Sequence, residues 1–448
     1  MPRSSDTAQT SQDPNPPNIY QKFAATLSRT EWLSRADLDS YRNHLLTRLV
    51  TFASAQSPFY RERLKPLFRN GPEPNLDAWS EIPLLRRSEL ESDIDRINPV
   101  QIPQDVGAVS TARTSGTTGA HAEFRTCMLA RIAAEGMMYR HYCWHELDLT
   151  APMASVRFYS SSQRRYPAGI TEQNWSAVRP GATHHTIDVR EPVGDIIAWL
   201  AQRAPKYLLT FPSMMHDLAH HPDADVVAQL KLERMIGISE PLIPHIRGVV
   251  EKRFGCEIAQ IYACAEMGCI ALQVPGDDHY LGCEETVFLE ILNDDGEPVY
   301  PGQTGHVVLT SFYNYATPFI RYEIGDYATL AALPCPSGRE LMRLQRINGR
   351  SRSALLTLTG QRIWPNEIPL SEIAALLSSP RFQIRQPDKS TIEVIFAAEK
   401  EKQPASQQEL GALFARLLGG NIVTRLTPVD DMTRTAGGKR ELVISIAH

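Results

Sequence analysis

The segment whose chemistry is most evident is a short run of hydroxyl residues and glycines. It comprises Thr114, Ser115, Gly116, Thr117, Thr118 and Gly119. Glycines let the backbone approach a ligand closely, and hydroxyls with main-chain N–H groups donate to phosphate oxygens. The spacing matches neither a Walker loop nor a dinucleotide fingerprint. The run predicts a phosphate-binding loop, although taken alone a surface linker of the same composition explains it equally well.

Three further residues have types and settings suited to nucleotide chemistry. Glu266 follows a predicted strand, where a loop leaves the sheet and ligands commonly bind, and it could hold magnesium. Asp326 follows a turn glycine and suits the two hydroxyls of a ribose, while Lys439 lies on a glycine-flanked loop near the C-terminus. Taken singly, a surface glutamate, a turn-capping aspartate and a solvated lysine remain the simpler interpretations.

The elements that must position these residues alternate between helical patterns and short β-branched or aromatic runs. The runs cover residues 155–159, 207–211, 235–238, 257–262, 287–292 and 305–311. Such alternation predicts an α/β fold whose large domain has mainly parallel sheets. The turn signal at 293–296 predicts a hairpin and a distorted antiparallel subdomain. Upstream, apolar spacings over 31–64 predict two amphipathic helices.

The chain divides into three predicted regions. Residues 1–18 are polar and proline-rich, a composition expected to stay disordered. Residues 19–348 form the predicted N-terminal domain. Residues 349–448 form a small α+β C-terminal domain on a hinge, with helices at 372–377 and 407–418, a strand at 391–397 and a final strand.

Composition excludes several classes of protein. The 448 residues are 42% hydrophobic and carry 46 Lys and Arg against 51 Asp and Glu, a net charge of -5 without the basic face of a nucleic-acid-binding protein. No apolar run is long enough to span a membrane, and no signal peptide is evident. Seven cysteines without framework spacing indicate reduced thiols. We therefore expect a cytoplasmic protein with neither nucleic-acid nor membrane partners.

Taken together and in order, these motifs resemble those of the adenylate-forming (acyl/aryl-CoA synthetase) superfamily, in its phenylacetate-coenzyme A ligase branch. The resemblance covers almost the whole chain after about residue 35. Further matching segments are 56–61, 82–84, 88–90, 210–213, 237–241 and 349–353, followed by Gly360 and Pro365.

The resemblance implies a role for each motif residue. Residues 114–119 would hold the ATP β- and γ-phosphates, and Glu266 would coordinate magnesium. Lys439 would bridge the α-phosphate and the substrate carboxylate, and Asp326 would bind the ribose hydroxyls. The remaining nucleotide contacts would be Ser239, Glu240 and Pro241 on the adenine side, Tyr262 stacked near adenine, and Arg350 beside Asp326.

The activity implied by the resemblance is that of an ATP-dependent ligase. It activates a carboxylic acid as acyl-AMP, releases pyrophosphate and transfers the acyl group to coenzyme A. Rotation of the C-terminal lid domain would withdraw Lys439 and bring the loop around Gly360 to the thiol. The implied partners are the acid, ATP and coenzyme A; a homodimer is left open.

The substrate pocket follows from the resemblance by position. It would comprise Tyr139, Phe158, Tyr159, Ser160, Ile236, Gly237, Ala263 and Met267. The frequency of aromatic residues favours an aryl acid. Each of these residues could equally serve in the hydrophobic core.

Several positions depart from the family's pattern. Arg352 and Ser353 replace hinge aspartates, and Ala120 and His121 follow Gly119 where a proline or Lys-Pro is usual. Some relatives bind a structural zinc; here His279 and Cys335 remain, with Cys269 and Cys283 as further candidates, and an unmetallated site is the favoured interpretation. Two alternatives stay open: an adenylating enzyme with another acceptor (an amine, a carrier-protein thiol or another nucleophile), and a non-catalytic adenylate-binding homologue.

Overall fold

The N-terminal segment of the protein is helical. The computed structural model describes residues 17–113, 122–159, 162–223, 227–398 and 406–446. The N-terminal helices are α1 (Ile19–Thr30), α2 (Arg35–Gln56), α3 (Pro58–Arg63) and α4 (Arg87–Ile97). Helices α2 and α3 confirm the two predicted over 31–64, and Ser57 caps α3 just before its proline. Helix α1 was not predicted, and nearly all of the proposed leader 1–18 lies outside the described residues.

Twelve strands form one hydrogen-bonded sheet. A separate antiparallel pair, β1 (Val109–Arg113) and β2 (Glu123–Cys127), precedes it. The sheet comprises β3 (Met153–Arg157), β4 (Ile170–Gln173), β5 (Thr183–Asp188), β6 (Tyr207–Thr210), β7 (Arg234–Gly237), β8 (Glu257–Cys264), β9 (Gly268–Gln273), β10 (Tyr280–Gly282), β11 (Val287–Leu292), β12 (Thr304–Ser311), β13 (Tyr322–Leu330) and β14 (Arg343–Arg350). Their order is β11-β12-β13-β14-β10-β9-β8-β7-β6-β3-β5-β4. The predicted α/β class is confirmed.

Strands β3, β5, β6, β7 and β8 run parallel, whereas the rest of the sheet is antiparallel. Strand β8 joins the two parts because it pairs in parallel with β7 and antiparallel with β9. The predicted distorted antiparallel region is present after β8 and is continuous with the parallel strands. The predicted turn at 293–296 is present, and β12 begins at Thr304, one residue before the predicted run 305–311.

In the described part of the chain, four helices lie between successive strands of this region. They are α5 (Met128–Trp144), α6 (Val193–Arg203), α7 (Pro212–Ala219) and α8 (Pro244–Phe254). The central strands are buried on both faces, as Leu208, Ile236 and Ala259 show with no solvent exposure. None of the helices that the structure describes has the length and apolar composition needed to cross a bilayer.

The C-terminal region has its own sheet and core. It comprises β15 (Leu355–Leu356), β16 (Arg362–Ile363), α9 (Leu370–Leu377), β17 (Phe382–Asp388), β18 (Thr391–Ala397), α10 (Gln407–Leu418), β19 (Val423–Val429) and β20 (Val443–Ser445), with strand order β19-β18-β17-β20. Ile384, Val394 and Phe414 lie in a second hydrophobic cluster, which also includes Ile243 just before α8. The predicted helices and the strand 391–397 are confirmed, while β17 and β19 were missed because prolines interrupt their alternation.

A buried histidine that caps the C-terminal end of α5 predicts acid sensitivity. Burial lowers the pKa of His145 to about 4, and its Nε2 lies 3.0 Å from the Gln273 carbonyl oxygen. Below about pH 6.5, His145 therefore binds a proton more readily in the unfolded chain than in the folded one. Its contribution to the free energy of unfolding is complete above that pH and declines as the pH falls toward 4. We expect this group to lower the free energy of unfolding by about 1–2 kcal/mol between pH 7 and pH 5.

Urea unfolding at pH 7 and pH 5 measures that loss. His145→Gln, which removes the titrating ring, should show a smaller pH-dependent change in free energy than the wild type. His44→Gln, at an exposed position of α2, serves as the matched control. If the free energy of unfolding had the same pH dependence in the wild type and in His145→Gln, His145 would not be a source of the acid sensitivity.

Candidate active site

A cavity of about 490 Å³ brings together sequence segments that are far apart along the chain. Its wall includes 239–241 after β7, 262–266 at the end of β8, Asp326 and Arg350 from β13 and β14, and Lys439 near the C-terminus. The carboxyl ends of β7 and β8 lie side by side because the two strands are parallel. Apart from Cys264 and Ala265, all of these were site residues in the sequence analysis, and the structure places them around one space.

The segment after β7 is tied to the surrounding protein. Ser239 has a left-handed backbone, with φ of 67°, which is rare for a residue other than glycine. Glu240 accepts hydrogen bonds from the Ser213 N–H (2.8 Å), the Ser213 hydroxyl (3.0 Å) and the Arg440 N–H (3.0 Å). Burial raises the pKa of Glu240, whereas these donors oppose the rise. The adenine-side role of 239–241 stays a prediction.

Asp326 and its neighbours form a polar group on the cavity wall. The register of β13 and β14 sets Asp326 opposite Arg350, whose Nε lies 3.6 Å from the carboxylate. The Tyr262 hydroxyl donates to the other carboxylate oxygen at 2.9 Å. Burial raises the pKa of Asp326, and Arg350 is the largest opposing influence. Tyr262 thereby orients an acceptor that can take hydrogen bonds from a vicinal diol.

Glu266 occupies the turn between β8 and β9. The Tyr322 hydroxyl lies 3.4 Å from its Oε1, and burial raises the pKa of the Glu266 carboxyl. Magnesium commonly takes one or two protein carboxylates and completes its shell with phosphates and water. The partly buried Glu266 carboxylate on the cavity wall fits that pattern, because a bound cation would offset the cost of burying the charge.

Lys439 projects from a tight loop that contacts the sheet-bearing part of the chain. The loop is closed by hydrogen bonds from the Thr435 N–H to the Lys439 carbonyl (2.8 Å) and from the Lys439 N–H to the Thr435 hydroxyl (3.1 Å). Gly438 has φ of 77°, and a Cβ there would lie 2.1 Å from Val189 Cγ1. Burial lowers the pKa of Lys439, and Glu240 is the largest opposing influence.

The residues expected to hold the acyl group are more scattered. Ala263 lines the cavity; Gly237 packs against Gln260, whereas Ile236 and Met267 are buried in the core. Tyr139 is partly buried on α5. Phe158 is 41% exposed beneath the Arg190 guanidinium, and Tyr159 lies beneath Arg164. Ser160 falls outside the described residues.

The cavity also has lining residues that the sequence reasoning missed. They include Met138, Arg157, Leu209 and Gln260. Arg157 ends β3 immediately before the predicted Phe158, so position at the carboxyl end of a parallel strand was an available signal. Met138 directly precedes Tyr139 on α5. Helical geometry turns adjacent side chains by about 100°, so only one neighbour of such a pair faces the cavity.

Two other predicted elements, the loop 114–119 and Gly360, lie outside the described residues or away from the cavity, whereas the hinge residue Ser353 lines it. The loop 114–119 lies within 114–121, outside the described residues, between β1 and β2. Gly360 forms a turn between β15 and β16, where its N–H donates to the Thr357 carbonyl at 2.9 Å. In the hinge, Arg352 pairs with Glu441.

Two of the four candidate zinc ligands, His279 and Cys335, contact other side chains. His279 Nδ1 contacts Asp277, which also pairs with Arg343 at 2.7 Å, and the Cys335 thiol lies 3.0 Å from the Ser337 hydroxyl. Cys269 and Cys283 are buried. Within the described ranges, no group of three or more His, Cys, Asp or Glu residues is arranged to hold a metal. The described residues therefore give no support to a structural zinc.

Comparison with known proteins agrees with this geometry. The family model for AMP-binding enzymes matches residues 113–314. The phenylacetate-coenzyme A ligase of Thermus thermophilus is 23% identical, over 93% of this chain and 98% of that protein. The enzyme of the same name from Pseudomonas putida is 29% identical over 37% of this chain and 38% of its own length.

Solved structures match over nearly the full length. A 2-hydroxyisobutyryl-CoA ligase in its postadenylation state is 19% identical, with a TM-score of 0.72 over 93% of this chain and 91% of that one. The same ligase in its thioesterification state has a TM-score of 0.58 at the same coverage. The chain therefore contains a segment that matches the AMP-binding enzyme family, is similar over most of its length to a phenylacetate-coenzyme A ligase, and shares the fold of a solved acyl-CoA ligase.

Proposed function

We propose that the protein is an AMP-forming acid–coenzyme A ligase that prefers an aryl acid. The observation that carries the proposal is the convergence of Lys439, Glu266 and Asp326 on one cavity. A cation, a carboxylate able to hold magnesium and an acceptor for a ribose diol are the groups that adenylation requires. The names of the sequence relatives support the reaction type.

In the first half-reaction, a carboxylate oxygen attacks the α-phosphorus of ATP and the bond to pyrophosphate breaks. Attack brings two anionic groups together, so Lys439 would lower the barrier by placing its ammonium between them. Asp326 would fix the ribose, and its contact with Tyr262 holds the carboxylate in place. Glu266 would bind magnesium, which supplies positive charge to phosphate oxygens.

In the second half-reaction, the thiolate of coenzyme A attacks the acyl carbon and AMP leaves. Lys439 belongs to a region with its own sheet and core, linked through Gly349 and Arg350, which suits a lid that moves between the two steps. We propose residues 349–448 as this lid and the turn at Gly360 as the part that approaches the thiol.

The aryl preference rests on the relatives' names and on the cavity's apolar lining. Met138, Leu209 and Ile238 contribute apolar side chains to the wall. Acid-dependent exchange of pyrophosphate into ATP, measured over phenylacetates, benzoates, heteroaryl acids and short aliphatic acids, tests both reaction and preference. Exchange confined to the aliphatic acids would overturn the aryl assignment, and no exchange with any acid would overturn adenylation.

The acceptor requires a separate assay. With the best acid, mass spectrometry should show acyl-AMP replaced by the coenzyme A thioester once coenzyme A is added. Acyl-AMP that persists with coenzyme A but is consumed by an amine or a carrier-protein thiol would instead support the other acceptor.

The ribose role predicts a binding defect. Asp326→Ala removes charge-assisted hydrogen bonds worth about 1.5–3 kcal/mol, so the KM for ATP should rise by roughly 10- to 100-fold. Exchange rates against ATP concentration measure the change. Asp295→Ala, in the exposed turn after β11, is the matched control. An unchanged KM for ATP would remove Asp326 from the nucleotide site.

A further inference from the structure

The lysine loop is held against the sheet-bearing part of the chain by charged contacts that the resemblance does not assign. We propose that Asp217, on α7, is a positioning residue that seats the loop 434–440 so that Lys439 faces the cavity during adenylation. This inference rests on the proposed function. Asp217 does not line the cavity, so it would act through the two arginines that flank Lys439.

Asp217 receives both arginines on one carboxylate oxygen. The side chain is only 5% exposed, and its Oδ2 accepts hydrogen bonds from Arg434 and Arg440. Helix α7 is buried at every position and follows β6, so the carboxylate sits on a rigid element. A fixed anion between two guanidiniums anchors the chain on both sides of Lys439.

Further hydrogen bonds reinforce the same seating. Arg434 Nη1 donates to the Ser213 hydroxyl at 3.2 Å and to the Gly438 carbonyl at 3.0 Å. The Arg440 N–H donates to Glu240 at 3.0 Å. The loop thus meets α7 and the segment after β7 at once, and Arg434 also braces the loop internally.

Shape complementarity adds a third constraint. Gly438 approaches Val189 so closely that any Cβ would clash, and Phe211 lies 3.8 Å from the same point. Charge pairing, backbone contact and close packing therefore all belong to one arrangement of the loop. Any rotation that withdraws Lys439 must separate Asp217 from both arginines. These contacts therefore stabilise only the arrangement that is used for adenylation.

Asp217→Asn keeps the shape and removes the charge. Small misplacements of a catalytic group cost about 100-fold, so we expect pyrophosphate exchange to fall by roughly 30- to 100-fold. Thioester formation from supplied acyl-AMP should stay within about twofold, because that step does not use the seated lysine. Asp430→Asn, at an exposed position before the loop, is the control.

A purely structural role of Asp217 would affect the two half-reactions differently from a positioning role. General destabilisation lowers both half-reactions together, and equal losses would overturn the proposal. In the Lys439→Ala background, where no ammonium remains to be positioned, Asp217→Asn should cost less than about twofold further. If the losses of pyrophosphate-exchange rate from the two single substitutions multiplied in the double variant, the proposal would also be overturned.

Hydrogen exchange of the full chain supplies a readout independent of activity. Asp217→Asn should speed exchange at the amides of 434–440 while leaving β6 at the wild-type rate. Unchanged exchange in the loop would overturn the proposal even if catalysis fell. If the wild type adenylates no acid, the proposed function fails. The hydrogen-exchange rates of 434–440 still decide whether Asp217 holds the loop in place.

Discussion

Lys439→Ala is expected to slow acyl-AMP formation by about 100- to 1,000-fold, the effect typical of removing one preorganised electrostatic stabiliser. Lys439 lines the cavity, and burial lowers its pKa while Glu240 opposes the shift. A buried ammonium attracts nearby phosphate oxygens strongly because little water screens its charge. Pyrophosphate exchange with the best acid measures this half-reaction.

The same variant should convert supplied acyl-AMP to thioester at a rate within roughly twofold of the wild type, because the second step needs no cation at the α-phosphate. Lys252→Ala, an exposed position on α8, controls for the loss of a lysine. Equal loss in both half-reactions would contradict the assigned role and point to a general defect.

Glu266→Gln should produce the second large effect. The amide keeps the size of the side chain and the contact with Tyr322 but cannot supply the anionic ligand that magnesium prefers. We expect exchange to fall by about 100-fold or more and the magnesium concentration for half-maximal rate to rise.

A magnesium titration of the exchange rate tests the Glu266 role directly. Glu297→Gln, at an exposed position before β12, provides the matched control. If Glu266→Gln lowered the rate without altering the magnesium dependence, the carboxylate would have a role other than metal binding.

The sequence was most informative where local patterns decide structure. Strand 287–292 and strand 391–397 agree with the structure to the residue, because apolar alternation and turn residues bound them. The position of Glu266 at the end of a strand also predicted that it would face a crevice of the sheet, and the family resemblance placed 239–241 beside the nucleotide. Both inferences need only short stretches of chain.

Contacts between distant segments could not be anticipated in this way. Asp217 and Arg434 are separated by more than two hundred residues, and neither lies in a pattern that marks the other. The left-handed backbone of Ser239 gives no signal, because serine ordinarily avoids that region. Phe158 looked like a pocket residue, yet its ring lies 4.6 Å from the Arg190 guanidinium carbon, an interaction that composition does not reveal.

The most direct test follows the carboxyl oxygens of the acid. The acid that supports exchange is labelled with ¹⁸O at both carboxyl positions, and the products of a complete turnover with ATP and coenzyme A are analysed by mass spectrometry. Attack of the carboxylate on the α-phosphorus predicts one ¹⁸O in AMP and one in the thioester carbonyl. Unlabelled AMP, or label in inorganic phosphate, would contradict the account.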